Sequence, residues 1–380
     1  MVKVVSKRVS KKDEPIYTLV LDMNNIMKIS FRNDMSNNDG KNYGMIITAL
    51  RIIGDVLRKK DFNYCVAAYD GIGSGVLRWQ IYKDYKANRG KNYELHDPNM
   101  TDYDRNLEEF RRLVLSKKTK KTEKDIEEEK FESQMLLLQN IMEELCIRQY
   151  MYENVEGDDI ISYCVKRRLP NEKIVIVSSD KDICQLISDN VIIWNPRIKE
   201  FVTKENAIEK IGIIPENIVL QKIICGDTSD NIKGIKGVGD VSLKKTFPEI
   251  INEKVDLKTV IERSRALLDR RKEEKKKPLK MLENIVNGVT DGCQGSMIYE
   301  INRKIIDLSE PMLTDEARKE LDEVYREPLD TSDRSVSNIY KIVSKERLDI
   351  IMDETRFGEL FGPFGRITMM EKKRFESKGK

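Results

Sequence analysis

The chain has one histidine, His96, in 380 residues. Catalysis by a histidine base, or a zinc site built from several histidines, is excluded by that scarcity. His96 sits in a polar stretch and reads as a surface residue. Cysteine is sparse too: the six, at positions 65, 146, 164, 184, 225 and 293, are scattered with no C-x-x-C pair. Those in apolar runs read as small core residues, in keeping with a reducing compartment. No apolar run approaches the roughly 18 residues of a membrane span. The amino-terminal residues are lysine-rich, so neither a secretory signal nor membrane association is expected. Net charge is nearly absent as well, at +3.

What is abundant is charge itself: 35% of residues are Asp, Glu, Lys or Arg, against 39% hydrophobic. The signs are segregated, with acidic clusters at predicted strand ends and lysine clusters elsewhere. That pattern suits an acidic metal centre beside a basic nucleic-acid track. The length allows one or two domains with an ample core.

The densest acidic run is Val155-Glu156-Gly157-Asp158-Asp159, which reads as a helix opening. A buried strand, Lys173 to Val177, follows and ends in Ser178-Ser179-Asp180-Lys181-Asp182. Acidic residues in a first turn cap a helix and match its dipole. Capping accounts for Asp158 or Asp159, but not for the second pair at a strand end. Two further apolar runs predict strands, Tyr17 to Leu21 ending at Asp22 and Tyr64 to Tyr69 ending at Asp70. Ile147 to Tyr152 and Val191 to Trp194 are other strand candidates. Helical periodicity over 44–60 and from Phe131 to Leu145 alternates with them, which predicts an α/β fold with a parallel sheet. Such sheets bind ligands beyond the carboxyl ends of their strands. Anions packed there repel unless neutralised, and a divalent cation with hard oxygen ligands, Mg²⁺ or Mn²⁺, is the economical neutraliser.

Other stretches point to nucleic acid. From Arg78 through Tyr85 to Lys91, basic and aromatic residues interleave, which suits phosphate pairing and base stacking, or else the solvated face of an amphipathic helix. Segment 98–130 carries Lys117, Lys118, Lys120 and Lys121, then an acidic block from Asp125 to Glu129. It lacks an apolar period and reads as a mobile cover. Ile218 to Cys225 predicts a helix, followed by glycines 234, 237 and 239 and a helix bearing Lys244 and Lys245. Gly234, Gly237 and Gly239 permit a tight turn with outward amides, able to grip duplex phosphates. The expected organisation is a disordered basic arm (1–14), an α/β core (15–200), a helical DNA-binding region (201–358, with the hairpin at 218–247) and a tail (359–380) on which a partner could dock. Residues 251–358 read as mostly helical, with a charged stretch from Arg270 to Lys280.

Together these runs resemble the 5′ nuclease, or flap endonuclease, superfamily, nearest to bacteriophage enzymes of the T4 ribonuclease H type. Val155-Glu156-Gly157-Asp158-Asp159 matches its V-E-A-D-D, Ser178 to Asp182 its S-[ST]-D-x-D, and Gly226-Asp227-Thr228-Ser229-Asp230-Asn231 its G-D-x-x-D-N. Gly237-Val238-Gly239 matches its helix-hairpin-helix turn, and Tyr85-Lys86-Ala87-Asn88-Arg89 its Y-K-x-N-R gateway. The resemblance implies a PIN-like nuclease core with helical additions, two divalent metals, and a carboxylate ring. Asp22, Asp70, Glu156 and Asp158 would lie nearest the hydrolytic metal. Asp159, Asp180, Asp182, Asp227 and Asp230 would hold or orient the second. Lys86 and Arg89 would hold the scissile phosphate, and segment 98–130 would arch over the 5′ strand. A monovalent cation at the hairpin turn is a further candidate. The implied activity is 5′→3′ exonuclease and flap cleavage of RNA or DNA during phage lagging-strand replication, by a monomer in the host cytoplasm. A single-strand-binding protein or sliding clamp is a candidate partner. A PIN-type single-strand ribonuclease is the rival reading, since it shares the acidic strand ends. A non-catalytic binder has no use for nine carboxylates.

Overall fold

Six segments pair into one sheet: β1 (Ile16–Asp22), β2 (Tyr64–Ala68), β3 (Arg148–Tyr150), β4 (Glu172–Val177), β5 (Val191–Asn195) and β6 (Glu200–Val202). Their order in space is β3-β2-β1-β4-β5-β6, and every pairing is parallel except β5 with β6. The structure is a computed structural model; it describes residues 15–33, 35–36, 40–89, 122–291, 293–295, 297–348 and 353–378. His96, the 1–14 arm and Lys117, Lys118, Lys120 and Lys121 lie outside the described residues.

Successive strand residues face opposite sides, and both sides are covered. Val20, Val66, Ile174 and Ile176 pack on one face with Ile160 and Ile161 of the helix Gly157–Lys166. Leu19, Leu21, Val175 and Val177 pack on the other with the helices Gly44–Lys59 and Glu123–Glu144. Burial on both faces is why β1 reads as an almost unbroken apolar run. From β1 the chain passes outward through β2 to β3, then returns to β4 on the opposite flank. The crevice for a ligand in such a sheet lies where the winding reverses, between the ends of β1 and β4.

One sequence expectation changes, and two segments gain a place in the core. The acidic block Asp125 to Glu129 belongs to a regular helix, Glu123–Glu144. Thr122 and Asp125 cap it reciprocally, with the Asp125 amide 3.2 Å from Thr122 Oγ1 and the Thr122 amide 2.7 Å from Asp125 Oδ2. Of the helical region beyond residue 201, Ile223, Leu243, Leu282 and Leu321 join the same cluster as Val20 and Ile176, while Ile232, Ile305 and Ile306 pack apart with Tyr85. The 359–380 tail is not a free appendage among the described residues. Phe361, Phe364 and Ile367 are buried against the other sheet face, and the helix Gly365–Lys378 reaches β3 through an Arg148–Glu371 ion pair of 3.1 Å.

That pair is 2% and 1% exposed, and Arg148 also donates to the carbonyls of Val324 and Tyr325. Removing one member of a buried pair leaves an uncompensated charge, at a cost of about 3–5 kcal/mol. Glu371→Ala is expected to lose about that much in denaturant unfolding, and the double change Arg148→Met with Glu371→Leu markedly less. Equal losses for the two would mean that packing rather than charge sets the value.

Candidate metal centre

The strand ends are pinned to one another by side chains that follow them. Asp22 ends β1 and caps the helix Met23–Ser30, with Oδ1 3.0 Å from the Asn25 amide and Oδ2 2.6 Å from Ser178 Oγ beyond β4. Asn24 accepts the Asp70 amide at 3.1 Å, and Asn25 accepts the Ser179 amide at 2.9 Å. Asp70 in turn accepts the Gly157 amide at 2.8 Å, at the start of the helix that carries Asp158. Gly157 fits closely there: an added Cβ would lie 3.3 Å from the Tyr69 carbonyl carbon. Asn24 and Asn25 were not singled out from sequence. Their signal is two short amides directly after a strand-ending aspartate.

Asp22, Asp70, Asp158 and Asp180 thereby face one another. No lysine or arginine pairs with any of the four among the described residues. Burial, then the charges of Asp180 and Asp70, push Asp22 up to about 7. Burial also drives Asp158 well above the ordinary carboxylate range, reinforced by Asp22, Asp180, Asp70 and Glu156. Four oxygen donors without a direct ion pair among the described residues, though Asp70 lies within reach of the Lys86 charge, suit a hard divalent cation.

A second group holds Asp182, Asp227 and Asp230, with carboxylate oxygens within 4.8 Å of one another. Here the chain supplies cations. Lys222 Nζ bridges Asp182 and Asp227, 2.5 Å from the latter. Burial raises Asp227, but hydrogen bonds from Lys222 and Ser229 outweigh it and hold the carboxyl at about 2. Burial keeps Asp182 at about 6 in spite of Lys222. Lys222 escaped sequence reading, although it is the lone charged residue of the apolar helix Ile218–Cys225. Arg89 pairs with Asp230 at 2.6 Å, and Lys86 lies 3.8 Å from it.

Between the two groups stands Glu156. Lys86 Nζ contacts it directly, Arg78 reaches it at 2.6 Å, and Tyr85 donates to it at 3.1 Å. Burial works against ionisation of Glu156, but Lys86 and Arg78 overcome it and hold the carboxyl at about 2. Lys86 has a left-handed backbone, φ 51°, and its amide donates to the Asp230 carbonyl at 2.9 Å, which aims the side chain into the site. Burial opposes its charge, yet Glu156 and Asp230 keep it firmly ammonium.

Several expected roles are corrected. Arg78 is 4% exposed, with its guanidinium on Glu156, on Asp159 at 2.5 and 3.0 Å, and on the Ile305 carbonyl at 2.9 Å, so it is not a nucleic-acid contact. Asp159 spends both oxygens on Arg78 and on the Met312 amide at 2.9 Å, and does not face a metal. Tyr85 is 2% exposed, and its hydroxyl joins Glu156 to Asp230, at 3.3 Å from the latter, so it is no stacking platform. At the glycine turn only Gly237 has a left-handed φ, +76°. Gly234 is required by packing, since a Cβ would lie 2.1 Å from the Cys225 carbonyl carbon. Gly239 is extended with open space beside it, and its amide is taken by Ser242 Oγ at 2.9 Å. Lys244 pairs with Asp240 at 2.9 Å, whereas Lys245 is exposed.

The raised carboxyls set a pH dependence. Unfolded aspartates titrate near 4. Asp22 at about 7 and Asp182 at about 6 keep their protons longer in the folded chain. The folded state binds more protons between about pH 4 and 7, so metal-free stability falls as pH rises through that window. In chelator, Tm is expected to drop from about pH 5 to pH 7.5, with the drop reduced in Asp22→Asn and abolished by added Mg²⁺. A Tm that climbs over that range in both proteins would mean that the carboxylates do not crowd.

A family model described as the 5′-3′ exonuclease, N-terminal resolvase-like domain, matches residues 17–212. The chain is 34% identical over 227 residues to a 5′-3′ exonuclease of Buchnera aphidicola subsp. Schizaphis graminum, an alignment covering 59% of this chain and 66% of that protein. It is 27% identical over 222 residues to a 5′-3′ exonuclease of Aquifex aeolicus, covering 57% and 64%. The chain thus spans just under two thirds of the length of these relatives. Among solved structures, a T5 5′-exonuclease with bound divalent metal ions (zinc) has a TM-score of 0.53 at 15% identity, covering 77% of this chain and 90% of that one. The T5 protein co-crystallised with metal ions scores 0.54 at 15% identity, covering 93% and 99%. These likenesses show a shared fold. With the family model matched over more than half its length, and the carboxylates gathered at the expected sheet edge, the chain belongs to the 5′-3′ exonuclease family.

Proposed function

We propose that the chain hydrolyses phosphodiesters from the 5′ end of a strand abutting duplex, as an exonuclease and a flap endonuclease, with two Mg²⁺ ions that Mn²⁺ can replace. The observation that carries this reading is the pair of carboxylate groups flanking Glu156, one without a direct ion pair among the described residues and one beside Lys86 and Arg89. Asp22, Asp70, Asp158 and Asp180 would hold one ion, and Asp182, Asp227 and Asp230 the other. Ions held there would lower the pKa of a water nucleophile and stabilise charge on the attacking and leaving oxygens.

The chain's own residues do the positioning. Arg78 fixes Glu156 from behind, so the carboxylate cannot turn away from the cleft. Lys86 and Arg89 are held on the rim by carboxylates and exchange these partners for the scissile phosphate, whose developing charge they offset. Metal-bound relatives of the same fold support the cofactor class, and a neighbour described as a T5 flap endonuclease pseudo-enzyme–product complex with DNA and metal ions supports the substrate class. Primer removal in lagging-strand replication, in a phage-infected cytoplasm and with a clamp or single-strand-binding partner, is the setting in which such an activity would serve. No helix among the described residues is long and apolar enough to cross a membrane. A PIN-type single-strand ribonuclease is disfavoured because the glycine turn at 234–239 is built into the same core as the sheet. Cleavage of a 5′-labelled flap in Mg²⁺, beside duplex-free RNA, decides between them: cutting of the RNA alone would reject the flap reading.

Asp158→Asn keeps the shape and removes a metal oxygen. Cutting is expected to slow roughly 10²–10³-fold with flap binding retained, and near-normal turnover in Mg²⁺ would remove Asp158 from the site. Lys86→Ala and Arg89→Ala are expected to lower single-turnover cleavage at saturating enzyme more than duplex affinity. The reverse pattern would make them part of a general basic surface.

A further inference from the structure

We propose that the helical hairpin tip at 270–280 is a second grip on the duplex backbone, which lengthens the double-stranded footprint beyond the glycine turn. The inference rests on the reading of the chain as a nuclease that acts beside duplex. The tip holds seven cations, Arg270, Arg271, Lys272, Lys275, Lys276, Lys277 and Lys280, against Glu273 and Glu274, an excess larger than the +3 of the whole chain. Glu274 engages Arg270 and Lys276, and Lys280 pairs with Glu283. Lys272, Lys275 and Lys277 are exposed and have no ion pair among the described residues.

The tip is built rather than loose. The helices Leu257–Glu273 and Lys280–Asn287 pack together, and Val260, Leu282 and Ile285 root them in the core. The first helix ends in a double cap, with the Lys276 amide 2.8 Å from the Arg271 carbonyl and the Lys275 amide 3.0 Å from that of Lys272. This motif commonly places glycine at its left-handed residue. Here the residue is Lys275, φ 55°, at a conformational cost that glycine would not incur. Arg271 Nε ties the strand after the cap through the Lys277 carbonyl at 2.9 Å. The cations are therefore displayed on a fixed backbone.

The location is continuous with the glycine turn. Asn284 donates to the Lys236 carbonyl at 2.8 Å, and Thr246 Oγ1 lies 3.9 Å from Met281 Sδ. The Lys280–Asn287 helix thus runs beside the Asp240–Thr246 helix, and its basic start meets the end bearing Lys245. That helix is about 10 Å long at 1.5 Å per residue, so the tip stands several phosphates further along a duplex, which carries one charge per ~1.7 Å. An acidic protein is the other class of partner for such a surface. The tip offers it little to bury, with Leu279 its one large apolar residue.

The test is the triple variant Lys272→Ser, Lys275→Gly, Lys277→Ser, compared with wild type on flapped substrates of about 30 and about 8 base pairs. Each lost phosphate contact lowers the slope of log affinity against log salt by ~0.9, so the slope on the long duplex is expected to fall by about 2–3 and that on the short one to stay put. Tm should hold, and changing the same three lysines to arginine should restore the slope. Equal falls on both lengths, or none, overturn the proposal. So do unchanged slopes with lost capture by a polyglutamate surface, which would assign the tip to an acidic protein. Wild-type protein that cuts flaps in Mg²⁺ yet shows the same slope at both lengths overturns this inference alone. Wild-type protein that cuts no flap rejects the nuclease reading beneath it.

Discussion

Burial of carboxylates beside one another is the constraint on which this molecule turns. Asp22 and Asp158 are driven toward their protonated forms by burial and by each other's neighbours. Hydrogen bonds from Ser178 and Asn25 only partly relieve Asp22, whereas Glu156 and Asp227, with cations in contact, stay ionised. The fold keeps an electrostatic deficit in one group and settles it in the other. That asymmetry sets the first group apart from an ordinary ion-pair network, in which acids and bases cancel locally.

Holding like charges together needs a frame stronger than their repulsion. The parallel sheet provides it, because β1 lies between β2 and β4 and all three point the same way. Asn24 and Asn25 then lace the three strand ends together through backbone amides. Arg78 performs the same service from beneath, binding Glu156, Asp159 and the carbonyl of Ile305 at once. Asp159 is thus drawn into the scaffold while its neighbour Asp158, one residue away on the helix, faces the cleft.

Much of this could be read from residue order. Asp22 at the end of β1, Asp70 and Asp180 just beyond β2 and β4, the acidic helix start at 156–159 and the Ile218–Cys225 helix lie close to where their patterns placed them, since apolar periodicity and burial obey the same geometry. The misreadings share a cause. Arg78 and Tyr85 alternate with apolar residues as a nucleic-acid surface would, but alternation does not tell which side faces carboxylates and which faces solvent. The acid block 125–129 looked unstructured because an exposed helix turn needs no apolar period, only a cap. Residues 359–380 carry no motif, and their apolar residues are recognisable as core only once the sheet face they cover exists. Lys222 illustrates the converse: its partners are 40 and 5 residues away, and only the first distance hides it.

The central place of β1 also bears on how the protein comes into being. Its hydrogen-bonded neighbours are Tyr64–Ala68 on one side and Glu172–Val177 on the other, and Asp22 meets Ser178 across 156 positions of sequence. On a ribosome adding roughly 5–20 residues per second, that interval lasts about 10–30 s. For that time a strand buried on both faces has an open edge, available to any other unpaired strand. Loop closure over such a separation is slow even after synthesis. Slower translation between residues 70 and 170 would therefore lengthen the exposure of nascent β1 rather than aid folding.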